Sequence, residues 1–362
     1  MRTTTDLPGL IERHISEGGF AGAAVAVARG HETVFEHYAG QAAPGLPSSP
    51  AVLWPIASIT KCFTAAMVMR LVELGELTVN TQVGTVIPSF SGDGRDEVTL
   101  RHLLTHTSGL PYESGAMEDR LRSHTPIEGM VEEACAAPLS FRPGTRFRYG
   151  DYNYLLAGRM GEVVTGASFS DLVHGLVIEP MGLADTFVTP GTAVDGRIAC
   201  VRGVLAEGTD GAMYNSRYGR SLGHPAFGVV SSLRDMVRFG AHFAPGGPRV
   251  HAEPTIRAMT SPQTGDVPGE HPAPIGYGTD ARIPWGYGFE LQNEQVPAVL
   301  SELASSSSFG HGGASGCMLL IDPVAELVVV VHSNTHILTG PDPWLTRLQS
   351  ILNAAIAAYG GR

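Results

Sequence analysis

Lysine is all but missing from this chain of 362 residues. Of its 24 Lys and Arg side chains only Lys61, within "PIASITKCF" (55–63), is a lysine; all the others are arginine. Arginine keeps its proton at any pH a protein survives, whereas lysine gives it up when burial or neighbours favour the neutral amine. Arginine serves surface charge and ion pairs throughout this chain. Lys61 is therefore a candidate for work that needs an amine able to lose and regain a proton. A host biased toward arginine codons would leave the same single lysine by chance, and this fact alone does not choose between the two.

Other absences narrow the field. No run approaches the apolar length of a membrane span, since "AGAAVAVA" and "ELVVVV" are strand-sized. A cationic balance is missing too: the formal net charge is −11, which argues against nucleic acid or an anionic membrane surface as a partner. The four cysteines, Cys62, Cys135, Cys200 and Cys317, show no metal-ligand spacing, and the 14 histidines form no H-E-x-x-H pair. Neither a metal nor an organic cofactor is expected. The opening "MRTTTDLPGLIERHISEGG" lacks the apolar core and cleavage pattern of a signal peptide and reads as a capped amphipathic helix. The expectation is a cytoplasmic chain with reduced thiols.

What is present reads as a globular fold. Hydrophobic residues are 43% and charged residues 16%, enough apolar content at this length for a substantial core. "AGAAVAVARG" (21–30) and "ETVFEHYAG" (32–40) predict a hairpin, and "SITKCFTAAMVMRLVELGE" (58–76) carries apolar positions at helical spacing. Residues 78 to 245 are mostly helical pieces, among them "VTLRHLLTHTSGL", "YNYLLAGRMGEVVTG" and "SSLRDMVRFGAHF". The strands return in "GYGFELQ", "ASGCMLLIDP" and "ELVVVVHSN", and "DPWLTRLQSILNAAIAAYG" closes the chain with a helix. This order predicts one α/β domain over 1–362, with an antiparallel sheet flanked by helices and an inserted mostly helical lobe. The α/β lobe is 1–77 plus 246–362, and the helical lobe is 78–245. A cleft between such lobes is a common place for a site. The Pro- and Gly-rich stretches 195–225 and 262–285 read as long loops.

Ser58 precedes Lys61 by three residues in S-I-T-K, so on a helix the hydroxyl and the amine share a face. Ser58 also sits where the helix begins, and free N–H groups at a helix start favour a developing oxyanion. A serine hydroxyl is a weak nucleophile until a base takes its proton; a desolvated lysine can do that and arginine cannot. S-x-x-K alone is a weak signal, equally readable as a capping serine and a solvated lysine. Three further stretches strengthen it: "RPGTRFRYGDYNYLLAG" around Tyr149, "SFGHGGASG" around His311 and "LRHLLTHTSGLPY" (100–112).

Together these motifs resemble the serine β-lactamase superfamily, in its class C-like branch with the penicillin-binding-protein-like esterases and transacylases. The resemblance runs from about residue 10 to 355. It implies Ser58 as the acylated nucleophile, Lys61 as its partner and Tyr149 as the third member in proton transfer. It implies an oxyanion hole from the N–H groups of Ser58 and Ala314. It places Asp151 at the asparagine of the Y-x-N element and His311, Gly312 and Gly313 at the K-T-G element, all as substrate-binding positions. No metal site is implied.

Two positions depart from that pattern. Y-x-N is Y-G-D here, and a carboxylate beside Lys61 favours the protonated amine. Either Asp151 points at a polar or cationic substrate group, or Lys61 stays cationic and Tyr149 takes the proton. K-T-G is H-G-G, and a histidine is a weaker anchor for a substrate carboxylate than a lysine. That histidine and the lack of a visible export signal both argue against antibiotic resistance as the main role. The expected activity is serine acyl transfer from a small-molecule ester, amide or thioester, either to water as an esterase or amidase, or to an amine or alcohol acceptor as a cytosolic transacylase of secondary metabolism. A sensor that is acylated once and does not turn over is the reading from another class. "THTSGLP" is expected to position the helical lobe. Arg217, Arg220, Tyr214 and Tyr218 are expected either to line the pocket or to belong to a solvated loop.

Overall fold

A computed structural model describes residues 5–112, 117–203, 210–270, 281–292, 300–337 and 344–361. The strand-like runs at the two ends of the sequence meet in one antiparallel sheet. Its members are β1 (Gly22–Arg29), β2 (Glu32–Ala43), β3 (Leu46–Pro47), β4 (Glu290–Leu291), β5 (Phe309–Gly313), β6 (Cys317–Asp322) and β7 (Leu327–Ser333). They lie in the order β3-β2-β1-β7-β6-β5-β4. The pairing of β1 with β7, with Val25 opposite Val331, joins the chain's first strands to its last.

The side chains of a strand alternate between faces, and here both faces are covered. Ala24, Ala26, Val328 and Val330 turn to one side, while Val25, Val27, Val329 and Val331 turn to the other. That is why β1 and β7 read as unbroken apolar runs rather than as an alternation. Six helices matter below: α1 (Leu7–Ser16), α2 (Thr60–Glu73), α3 (Leu100–Leu104), α4 (Asp151–Thr165), α5 (Leu233–Phe243) and α6 (Trp344–Tyr359). Helices α1 and α6 cover one face. Helix α5 lies on the other, against β1, β6 and β7. The first helix begins as expected, with the Asp6 carboxylate accepting from the Gly9 N–H at 2.9 Å.

Helix α2 is apolar nearly all round and is buried from Thr60 to Met69, the mark of a central helix rather than a surface one. It packs against α4, which in turn packs against α3. Helix α5, which falls inside the expected 78–245 stretch, packs on the sheet. The stretch 195–225 is not all loop: it holds short helices at Asp210–Asn215 and Arg217–Ser221, and its residues 204–209 lie outside the described residues. In 262–285, Gly269–Glu270 pairs with Phe147–Arg148, while 271–280 lie outside the described residues. Among the described residues no helix is long and apolar enough to cross a membrane.

Candidate active site

The chain reaches Ser58 through a short strand, Trp54–Pro55, which is hydrogen-bonded to Val230–Ser231. Ala57 then takes a left-handed backbone, φ 47°, a conformation that costs a non-glycine residue on the order of 1–3 kcal/mol. The turn lifts half-buried Ser58 onto a 3₁₀ segment, Ala57–Ile59, which runs directly into α2. Lys61 follows one turn later with no exposed surface. Its amine donates to the Ser58 hydroxyl at 3.1 Å and to the Ala226 carbonyl at 3.2 Å, and it forms an ion pair with the Asp151 carboxylate at 2.6 Å. The Tyr149 ring lies 4.7 Å from the same nitrogen.

Tyr149 hydrogen-bonds Ser58. Burial, and after it the charge of Asp151, hold the Tyr149 hydroxyl well above the ordinary tyrosine range, against the opposing pull of Ser58. Tyr149 is therefore a neutral phenol at any ordinary pH. Asp151 is the first residue of α4, where the positive end of the helix dipole favours an anion. Of the two places open to Asp151 in the sequence, the carboxylate takes the lysine side: it is 5% exposed and lies on the Lys61 amine rather than facing open space. Cys62, next to the lysine, is buried with its thiol pushed upward by burial and donating to the Gly288 carbonyl at 3.1 Å, which suits a core residue.

Strand β5 forms the opposite wall. His311 is buried, with Nδ1 2.7 Å from the Gly312 carbonyl oxygen. Gly313 permits a backbone-to-backbone approach: a Cβ there would sit 2.3 Å from the Ile56 carbonyl oxygen. That approach brings β5 against the turn carrying Ser58. Neither the Ser58 nor the Ala314 N–H meets a backbone acceptor among the described residues.

Other contributions come from residues far away in the chain. His106, itself at φ 56°, accepts from the Gly150 N–H at 3.2 Å, and its carbonyl accepts from Arg148 N–H at 2.8 Å. The Tyr112 carbonyl accepts from the Asp151 N–H at 2.9 Å, and Ser108 Oγ donates to Asn153 at 2.6 Å. "THTSGLPY" thus templates the turn that presents Tyr149 and Asp151. The His106 ring lies 4.5 Å from that of Tyr149, and Trp285 stands edge-on to His311 at 5.4 Å. Trp285, the Ala226 carbonyl and the direct hold of His106 on Gly150 carried no local signal in the sequence. "THTSGLP" was visible as a motif, but only for the lobe. Glu290 on β4 is a further buried carboxyl, pushed up to about 8 by burial. Arg217 and Arg220 brace their own segment by reaching Asp195 at 3.2 and 3.6 Å, while Tyr218 ties it to the distant Thr125 carbonyl.

A hollow of about 370 Å³ on α5, lined in part by Val237, Arg238, His242 and Arg249, contains none of these motif residues. Its cations are already matched, Arg234 by Glu36, Arg238 by Asp235 and Arg249 by Glu253.

A serine, lysine and tyrosine converging from two segments can be compared with known proteins. The family model for Beta-lactamase matches residues 7–350. The chain belongs to the beta-lactamase family. Penicillin-binding protein 4 of Amycolatopsis lactamdurans is 29% identical over 299 residues, covering 78% of this chain and 72% of that protein. Esterase EstB of Burkholderia gladioli is 28% identical over 367 residues, covering 91% and 90%. The fold is similar to that of EstCE1, described as a hydrolase with promiscuous acyltransferase activity, with a TM-score of 0.79, 20% identity, and coverage of 96% of this chain and 97% of that one. The beta-lactamase match spans Ser58, Lys61, Tyr149, Asp151 and His311, so the motif residues that gather here lie inside the matched segment.

Proposed function

We propose that this member of the beta-lactamase family is a serine acyl-transfer enzyme working through an acyl-enzyme on Ser58. The observation that carries the reading is the Ser58 hydroxyl shared between the buried Lys61 amine at 3.1 Å and the Tyr149 hydroxyl. Lys61 takes the serine proton as Oγ attacks the acyl carbon. The N–H groups of Ser58 and Ala314 hold the oxyanion that forms. Tyr149, a phenol that keeps its proton, passes one to the leaving group. His311, Gly312 and Gly313 wall the acyl site. With H-G-G in place of K-T-G, no lysine there anchors a carboxylate, and small neutral esters are the preferred donors.

Water is the first acceptor in this reading, as the likeness to esterase EstB supports. An alcohol or amine acceptor is the second, favoured by the acyltransferase activity named for EstCE1. The test is turnover of p-nitrophenyl butyrate by the wild type and Ser58→Ala, with and without added alcohol, and mass spectrometry of the protein and the products. An adduct of one butyryl group on Ser58, lost together with turnover in Ser58→Ala, supports the reading. Acylated alcohol would identify a transferase, free acid alone a hydrolase. Turnover that survives in Ser58→Ala sinks it.

A further inference from the structure

The geometry points to Asp151 as the proton store of the site: it takes a proton from Lys61 while Lys61 takes one from Ser58, and it gives the proton back when the leaving group departs. This rests on the acyl-enzyme reading above and adds a catalytic carboxylate to it. The observations are a nucleophile, an amine and a carboxylate in line, with Ser58 Oγ 3.1 Å from Lys61 Nζ and Lys61 Nζ 2.6 Å from Asp151 Oδ1. The amine has no exposed surface and the carboxylate side chain only 7%, so neither exchanges protons freely with water. Asp151 Oδ1 is buried, and the Lys61 amine is the group in ion-pair contact with it, in place to exchange a proton with it.

The step balances as follows. The Oγ–H bond breaks, the proton moves to Nζ, a proton already on Nζ moves to Oδ1, and the Oγ–acyl bond forms. When the bond from the acyl carbon to the leaving oxygen breaks, Oδ1 returns its proton to Nζ and Nζ releases one by way of the Tyr149 hydroxyl to the leaving oxygen. The pair ends as it began. Two neighbouring groups limit the alternatives. Tyr149 is held neutral by burial and by the Asp151 charge, so it is no resting base. His224, which burial and then the Lys61 charge keep neutral, is no store for a second proton.

A consequence separates this from a lysine working alone. Ammonium with carboxylate and amine with carboxylic acid hold the same number of protons, so their ratio does not change with pH while the pair keeps its shared proton. Acylation by the wild type is then flat across neutral pH. The groups around the pair are Cys62 from α2, Tyr149 just before α4 and Tyr154 within it, His224, Glu290 on β4, and His106 and His311 around the Tyr149 ring. Glu290, pushed to about 8, titrates within the range, and Glu290→Gln serves as its control.

The experiment is stopped-flow release of p-nitrophenol in the first turnover, from about pH 5 to 10, for the wild type, Asp151→Asn, Asp151→Glu and Glu290→Gln. The expected result is a wild-type rate that varies less than about threefold between pH 6 and 9, whereas Asp151→Asn gains an ionisation, rising roughly tenfold per pH unit until the amine is neutral. Asp151→Glu, which keeps a carboxylate, keeps the flat profile. An Asp151→Asn profile that superimposes on the wild type's overturns the proposal. So does a wild-type rate that climbs tenfold per unit and still does so in Glu290→Gln, a result that needs no folded Asp151 variant. The butyryl adduct on wild-type Ser58 is read separately by mass spectrometry, and its absence would refute the acyl-enzyme rather than the proton store.

Discussion

Strand β5 can lie against the Ser58 turn only because residue 313 has no side chain. In Gly313→Ala the new Cβ would stand 2.3 Å from the Ile56 carbonyl oxygen, where real Cβ atoms keep 3.0 Å or more, so the two backbones must part by roughly 0.7 Å. Neither side yields easily. Ile56 is tied to Val229 through a 3.1 Å backbone hydrogen bond, and Gly313 is paired with Cys317 in the sheet. Overpacking of this kind costs about 1–3 kcal/mol, which a domain of this size survives. The cost to the reaction is larger in proportion. The gap that opens lies between the Ser58 and Ala314 N–H groups, and a misplacement on the order of 1 Å costs about a hundredfold in rate. We expect kcat/KM for p-nitrophenyl butyrate to fall roughly 10- to 100-fold, with a urea midpoint only modestly lowered. Gly175→Ala, where nothing lies within 4 Å of the new carbon, is the control and keeps full activity. A Gly313→Ala enzyme within about twofold of wild-type kcat/KM would show that this close approach does not set the oxyanion geometry, and the assignment of Ala314 would fall with it.

Three other outcomes follow from buried charge. Lys61→Met strands the Asp151 carboxylate and lowers stability by about 3–5 kcal/mol in urea denaturation, and adding Asp151→Leu recovers most of the loss; no recovery would mean that the pair is not what was broken. Burial lifts the Glu290 carboxyl from an unfolded value near 4.5 to about 8, so its contribution is full below 4.5 and is lost as pH rises toward 8. Glu290→Gln removes that decline, up to roughly 4 kcal/mol in stability differences between pH 5 and 8.5, and an unchanged decline would contradict the assignment. His332 is the opposite case: burial pushes it down to about 3, neither ring nitrogen has a hydrogen-bond partner among the described residues, and stability is lost as pH falls from 6.5 toward 3. His332→Phe should stabilise the fold at pH 5, as read by thermal unfolding, and an equal acid loss in both proteins would count against it.

The elements legible in the sequence were those whose signal is local. The hairpin at 22–43, helix α2 and the closing strands are set by periodicity within a few residues, and the structure has them there. The division into lobes was less legible because packing partners are not written in period. Helix α5 is amphipathic, but its pattern does not say which partner it covers, and only the packing on β1 with β6 and β7 does. In the site the same rule holds. Ser58 and Lys61 meet through i,i+3 geometry, which any reader of helices can draw. The Ala226 carbonyl on Lys61 and the His106 ring on the Gly150 N–H join residues 165 and 44 positions apart. Side chains at such separations meet only after the tertiary fold forms, and a single sequence carries no record of the meeting.

The lone lysine can now be weighed against the codon accident. An accident of replacement would spare lysines at random, and most positions for a cation are on the surface, where either residue serves. Lys61 is fully buried, donating to a nucleophile and a carbonyl and paired with a carboxylate. A guanidinium in the same place would be planar, larger and unable to become neutral, so it could pair with Asp151 but could not accept the Ser58 proton. Lys61→Arg is therefore a sharper comparison than any truncation: charge is kept, the ion pair is available, and acylation of Ser58 is lost. A codon bias would explain why the chain has so few lysines; on the proposed acyl-enzyme mechanism, the Ser58 proton explains why this one stayed.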